Sequence, residues 1–317
     1  LLRDAGITDI DVAVVQVLPT WQQVEQLYGN KGPIIEGQSQ CQSFRNSMAG
    51  KKKQHASLGI AGMFDSGTNL AATYLEANCI LPAIGGGHKK NGKNGIRWQV
   101  PWGKHVLAKK RKDHLIQKTA LDDVDAVLPV VIIRDPYYWM QSLCRHNYGA
   151  QWLHDGGHCP NLVPNAVDYK IYRFPLGTIP VRIKYDYGLE KWDSLAHLWS
   201  DWYQQYYQDA DYPRLLVRYE DFLFYPKQVT QQICECVGGT LRSDDFYYAM
   251  NSAKHGPGHG SAARTSWVSA MIRYGSGVRR FHNLTDPDLA LARHVLDSKL
   301  MQTFLYAQPG DEEFGMQ

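Results

Sequence analysis

The chain has no run of about 18 apolar residues, the length a helix needs to cross a bilayer, so no segment reads as membrane-spanning and no membrane contact is expected of it. It starts at Leu1, not at a methionine, and an N-terminal anchor or signal once ahead of it would leave no trace. Charge of one sign is also scarce in excess: 34 Lys and Arg face 31 Asp and Glu, for a net +3. That balance gives no broad basic field, so no nucleic-acid partner is expected. Internal repeats and low-complexity runs are absent, which leaves no basis for a solenoid or a disordered linker. Cysteines number only six in 317 residues, and their spacings fit no zinc site. Cys234 and Cys236 lie two apart on an expected helix, point in different directions, and are not expected to pair with each other.

What is present is a globular composition, 44% hydrophobic, with positive charge gathered locally at Lys51, Lys52 and Lys53 and over 104–118. Each basic run reads either as a solvated face or as an anion site. Tyr and Trp cluster at 137–152, 167–207 and 219–248, where they fill a core or line a site. An arm, 1–50, is expected to carry a short strand at Val12–Val17 and a helix at Trp21–Tyr28, ahead of a single domain over 51–317. Residues 57–64 read as a strand, Asp65 to Asn69 as a tight loop, and 70–79 as a helix. Val127–Ile133 is β-branched without alternation, the pattern of a parallel strand covered on both faces. Pro136 then suits the first turn of a helix over 137–146. Further helices are expected at 107–117, 192–208, 226–237, 243–251 and 286–304, a strand at 215–219, and loops at 85–95, 147–190 and 252–280. Strands alternating with helices predict an α/β fold with a central, mainly parallel sheet flanked by helices. In such sheets ligands bind past the carboxyl ends of the strands. Ser66 and Arg134 both follow a strand end and are expected to face one pocket.

Three segments carry chemistry. Ser66-Gly67-Thr68-Asn69 joins a strand to a helix, so free backbone N–H groups and the helix dipole make a phosphate cradle, or else simply a capped helix start. Arg134 offers a bidentate fork to a phosphate, and Ser142, eight residues on, a hydroxyl; a carboxylate partner and an ordinary helix serine are the plainer alternative. Arg218-Tyr219-Glu220-Asp221, with Pro226, Ile233 and Gly238 beyond it, either touches a base or forms a structural strand-to-helix junction. The order and spacing of the three segments resemble the PAPS-dependent sulfotransferase family (PAPS is 3′-phosphoadenosine 5′-phosphosulfate) over about residues 57–305. The resemblance implies a three-layer P-loop-like fold and a sulfuryl transfer from PAPS, releasing PAP, with no metal required. It places Ser66, Gly67, Thr68 and Asn69 on the 5′-phosphosulfate, Arg134 and Ser142 on the 3′-phosphate, and Tyr219 near the adenine. It implies a catalytic His with a nearby Lys, matched by His105 as general base and Lys104 as the cation on the bridging oxygen; His88 with Lys89 and Lys90, and His114, compete. A closing basic loop is matched by 273–280 with Arg279 on the 3′-phosphate, against Lys254 and Arg264.

Two positions depart from that family: Asp65 stands where Lys or Arg is usual, and Leu70 where many cytosolic members have an aromatic, so the likeness is closer to carbohydrate-type and bacterial-type members. Asp65 must then point away, cap the helix or neutralise a cation. The acceptor is expected to be a hydroxyl or amine of a small molecule or a glycan, held by the 147–190 loop. A disulfide between Cys144 and Cys159 would brace that loop, and together with the sequon Asn283-Leu284-Thr285 it points to the Golgi lumen or secretory pathway over the cytoplasm. The rival readings are a P-loop kinase or nucleotidase, against which the missing Walker lysine stands, and a nucleotide- or glycan-binding module without catalysis.

Overall fold

The computed structural model describes residues 1–29, 32–49, 56–82, 95–115, 124–154, 157–242, 245–251 and 266–310. Lys51–Lys53, His88, Lys89, Lys90, Lys118, Lys254 and Arg264, all weighed above, lie outside the described residues.

Helices α1 (Val12–Val17) and α2 (Trp21–Tyr28), strand β1 (Ile35–Glu36) and helix α3 (Cys41–Met48) precede β2 (Ser57–Gly62), α4 (Thr68–Asn78), β3 (Cys79–Ile80) and β4 (Ile96–Arg97). β5 (Val127–Ile133) and α5 (Pro136–Arg145) follow, then β6 (Ala150–Gln151), α6 (Asp168–Ile171), β7 (Val181–Tyr185) and β8 (Gly188–Trp192). The chain ends with α7 (Leu195–Gln204), β9 (Leu215–Arg218), α8 (Asp221–Phe224), α9 (Pro226–Cys236), β10 (Thr240–Leu241), α10 (Trp267–Gly275), α11 (Asp286–Val295) and α12 (Ser298–Thr303).

The main sheet has five strands in the order β1-β9-β5-β2-β4. It is mostly parallel: β2 pairs with β5 from Ser57↔Val127 to Gly62↔Ile132, β5 pairs with β9, and β2 with β4, while β1 alone runs antiparallel, on β9. The protein is therefore α/β, with a mixed sheet flanked by helices. Every residue of β2 and β5 is buried, which is why neither shows alternation in sequence. α5 begins where Asp135 accepts from the Tyr137 and Tyr138 amides, with Pro136 in its first turn.

Six expectations need correction. Val12–Val17 is a helix, not a strand: Asp11 caps it by accepting from the Ala13 amide, and no residue of it is buried, so strand propensity had no sheet to join. Of the expected helix 107–117, the described residues 107–115 do not form an α-helix. A short 3₁₀ turn at Ala108–Lys110 is followed by Arg111, whose guanidinium is drawn 4.3 Å over the Tyr212 ring. The expected loop 147–190 holds a three-stranded antiparallel sheet, β6-β7-β8, and β7 alternates buried and exposed in period two, the pattern of Val181-Arg182-Ile183-Lys184-Tyr185. Residues 245–251 are not helical, because Asn78 captures the backbone, accepting from the Tyr247 amide and donating to its carbonyl. Within the expected loop 252–280, Ser266 caps the helix α10. The expected closing helix 286–304 is two helices, because Asp297 starts the second by accepting from the Leu300 amide.

All six cysteines are bridged: Cys41–Cys236, Cys79–Cys234 and Cys144–Cys159. Cys234 and Cys236 do diverge, one to β3 and the other to α3. Three disulfides identify a protein of an oxidising compartment, extracellular or secretory. Among the described residues no helix is long and apolar enough to cross a membrane.

Candidate functional site

A cavity of about 1080 Å³ opens at the carboxyl ends of β2 and β5. These adjacent parallel strands continue to opposite sides, β4 beyond β2 and β9 beyond β5, which is the switch point where open α/β sheets bind ligands. Gly67, Thr68, Asn69, Lys104, His105, Arg134, Ser142, Tyr219 and Arg279 all line it; of the residues singled out from the sequence, Ser66 does not.

The loop after β2 builds the floor. Asp65 takes a left-handed φ of +58° and Gly67 one of +95°. Gly67 occupies the cap position of the 11-residue helix α4 with no side-chain cap hydrogen bond, and Gly67, Thr68 and Asn69 at that N-terminus line the cavity. A Cβ at Gly67 would stand 2.1 Å from Cδ2 of Tyr219, so only glycine allows that ring to lie on the loop. Ser66 is buried beneath: its amide donates to the Met63 carbonyl, and its hydroxyl packs against Gly62, beside the Tyr203 hydroxyl that donates to the Ile132 carbonyl. In this geometry it shapes the loop from below.

Arg134 leaves β5 and is buried. One guanidinium nitrogen donates to the Asp65 carbonyl at 2.5 Å and another to the Tyr274 hydroxyl. The group sits 4.7 Å over each of the Tyr219 and Tyr274 rings, and its Nε has no hydrogen-bond partner among the described residues. Burial works to lower the Arg134 pKa, but Tyr274, Tyr219, Glu220 and Asp65 together hold it above its usual value, so it stays charged. The charge of Asp65 is thus directed at Arg134 and also acts on Arg145. Ser142 donates to the Tyr138 carbonyl and accepts from Arg145 Nη2 at 2.9 Å, so it holds Arg145 at the cavity wall. Arg273 and Arg279 line the same lobe from α10 and the turn after it. Arg280, in the same basic run, instead donates to Asp135 at 2.7 Å and to the Ala307 carbonyl, and so locks the fold.

The Tyr219 segment divides in the same way. Arg218 and Asp221 form a buried pair at 2.7 Å that also ties the Ile34 amide and the Tyr28 and Phe304 carbonyls. Glu220 accepts from the Asp135 amide and the Tyr306 hydroxyl, and burial pushes its carboxyl up to about 7. Only Tyr219 of these four faces the cavity.

Lys104 and His105 close the site from the loop after β4. Lys104 is only 5% exposed. Its Nζ donates to Asn69 Oδ1 at 3.0 Å and stands 3.0 Å over the Trp98 ring. Burial pushes it down to about 7, with Glu76 opposing. His105 Nδ1 lies 2.6 Å from the Gly62 carbonyl. A carbonyl can only accept, so Nδ1 carries the hydrogen and Nε2 keeps its lone pair. Burial, with Lys104 adding to the fall, pushes His105 down to about 4, against the Gly62 and Met63 carbonyls, so the ring is neutral at physiological pH. Its face packs 4.3 Å from Phe64, which in turn stacks on Tyr148 at 5.6 Å. His114, weighed as a competing base, packs edge-on against Tyr187 instead.

Sequence reasoning did not single out Arg145 or Trp98, held Tyr148 only as part of the aromatic cluster 137–152 and the acceptor loop 147–190, and held Arg273 only as part of the run 273–280. Arg145 had a signal, one helical turn beyond Ser142; the others are brought in by tertiary packing. Compared with protein-family models, with curated proteins and with solved structures, the chain matches none.

Proposed function

We propose that this protein is a sulfotransferase that moves a sulfuryl group from PAPS to a hydroxyl or amine of an acceptor, with PAP as the other product. One observation carries the reading. The uncapped α4 N-terminus with Lys104, and Arg134 with Arg145, put two groups of donors suited to anions into the lining of one cavity, with a neutral histidine beside the first. A donor with phosphate at both its 3′ and 5′ positions calls for two such groups. On this reading Gly67, Thr68 and Asn69 hold the 5′-phosphosulfate, Arg134, Arg145 and Arg279 the 3′-phosphate, and Tyr219 flanks the base. His105 Nε2 takes the acceptor's proton; the acceptor oxygen bonds to sulfur; the bond from sulfur to the bridging phosphate oxygen breaks; and Lys104 meets the charge left on that oxygen. A three-layer P-loop-like fold and a Golgi location fit the parallel strand–loop–helix and the disulfides. No lysine stands in the Asp65–Asn69 loop itself, which favours this reading over nucleoside-triphosphate chemistry.

The test is calorimetry with PAP beside Mg-ATP, followed by transfer of labelled sulfate from PAPS to a panel of acceptors. Tight PAP binding with label transfer is expected. Preference for Mg-ATP, or PAP binding without transfer to any acceptor, would refute the assignment.

A further inference from the structure

We propose that Trp98 and Tyr148 form the acceptor subsite, exposed walls of the cavity that holds His105, and take a pyranose ring of a glycan. The inference rests on the sulfuryl-transfer reading and adds to it the class of acceptor. Both residues line the cavity, yet Trp98 is 50% exposed and Tyr148 42%. Large rings left open to solvent at a cavity mouth mark contact surfaces far more than core.

Contacts tie each ring to a residue beside the base, Trp98 to Lys104 and Tyr148 to Phe64. Trp98 lies under the Lys104 amine at 3.0 Å; His105 follows Lys104; Phe64 packs on His105 at 4.3 Å; and Tyr148 stacks on Phe64 with the planes 12° apart. His146, also at the cavity wall, sits 6.2 Å beyond Tyr148.

Backbone strain is the second observation. Tyr148 holds φ at +48°, a left-handed conformation that a bulky aromatic rarely adopts. The Ala150 amide closes the turn onto the Asn147 carbonyl and leads straight into β6. A glycine would sit there without strain, so the fold bears a cost to present this ring.

The chemistry favours a sugar. An aromatic face carries negative potential, which suits the C–H face of a pyranose. Gln99 and His146, which also line the cavity, supply partners for its hydroxyls. Walls this exposed leave room for the rest of a chain on both sides, whereas a free phenol would be held in an enclosed slot.

The experiment uses the full chain with chitotetraose, cellotetraose and a hyaluronan tetrasaccharide as acceptors, and 4-nitrophenol as the phenolic comparison. Direct binding of each is measured by calorimetry and transfer by labelled PAPS. Tyr148→Gly removes the ring and relieves the strained φ. It should melt no lower than the parent, bind PAP within twofold, and lose at least tenfold in kcat/KM for oligosaccharides, mostly through KM. Trp98→Ala should raise oligosaccharide KM at least tenfold, while Tyr148→Phe and Trp98→Phe stay within threefold of the parent. Oligosaccharide use unchanged in both Tyr148→Gly and Trp98→Ala overturns the subsite, as does a preference of the parent for 4-nitrophenol. Failure of the parent to bind PAP would instead strike the donor reading; oligosaccharide binding that is still lost in Tyr148→Gly would then uphold the subsite alone.

Discussion

Replacing Lys104 by Met should make the free protein more stable and the site inert. Burial takes this amine from its ordinary 10.5 to about 7, a difference of about 5 kcal/mol between its charged and neutral forms. The folded pKa lies below the unfolded one, so between about pH 7 and 10.5 the unfolded chain binds the extra proton. Stability therefore rises with pH across that window, and the burial penalty is present in full at and below about pH 7. Methionine carries no such penalty, so the variant should exceed the parent by several kcal/mol at pH 6, and the gap should shrink by about 3 kcal/mol on going to pH 9.5. Urea unfolding at both pH values, with disulfides intact, measures it. A difference that does not change with pH would refute the buried, tunable amine and with it the cation assigned to the leaving oxygen.

The pH dependence of kcat/KM should rise through about pH 4 as His105 loses its proton and fall through about pH 7 as Lys104 loses its own, and Lys104→Arg should move the alkaline limb to higher pH; a limb that stays in place assigns it to another group. His105→Ala should abolish transfer and leave PAP affinity nearly intact, and full activity would remove it as base. Gly67→Ala, whose Cβ meets the Tyr219 ring at 2.1 Å at a φ of +95°, should lose about 2–4 kcal/mol of stability and most PAP affinity; unchanged urea midpoint and PAP affinity would contradict the cradle geometry. Cys41→Ser with Cys236→Ser opens a link spanning 195 residues and should cost about 2–5 kcal/mol in thermal and urea unfolding, against no change if α3 is held by packing alone.

The parts of the site carried by local rules were legible before the fold. A buried β-branched run, a glycine at a strand-to-helix turn and a proline after Asp135 are signals that neighbours in sequence settle, and they place Gly67 and Arg134 at adjacent strand ends. Val12–Val17 was misread because β-branched composition speaks for a strand only where a sheet is there to receive it. The alternation in β7 was readable, but it was hidden by the Gly, Pro and Tyr around it. Trp98 had no such signal, and Tyr148 and Arg273 were marked only as members of a cluster and a basic run, since what makes them part of the cavity is what they pack against.

Asp65 is the sharpest case, because the sequence alone sets an acid where the resemblance calls for a cation. Its carbonyl accepts from Arg134, and its charge favours the charged form of both Arg134 and Arg145, so the acid serves the arginine lobe. The cation missing from the loop is supplied from the next strand end by Lys104, whose Nζ reaches the Asn69 side chain in the first turn of α4. A lysine inside the loop would be solvated and charged at all ordinary pH. One delivered through the interior has a pKa near 7 and takes up its proton most readily when an anion arrives. On the proposed reading, Lys104 therefore supplies, from outside the loop, the positive charge that the phosphosulfate end of the cavity would need, and its pKa near 7 would let that charge respond to an arriving anion.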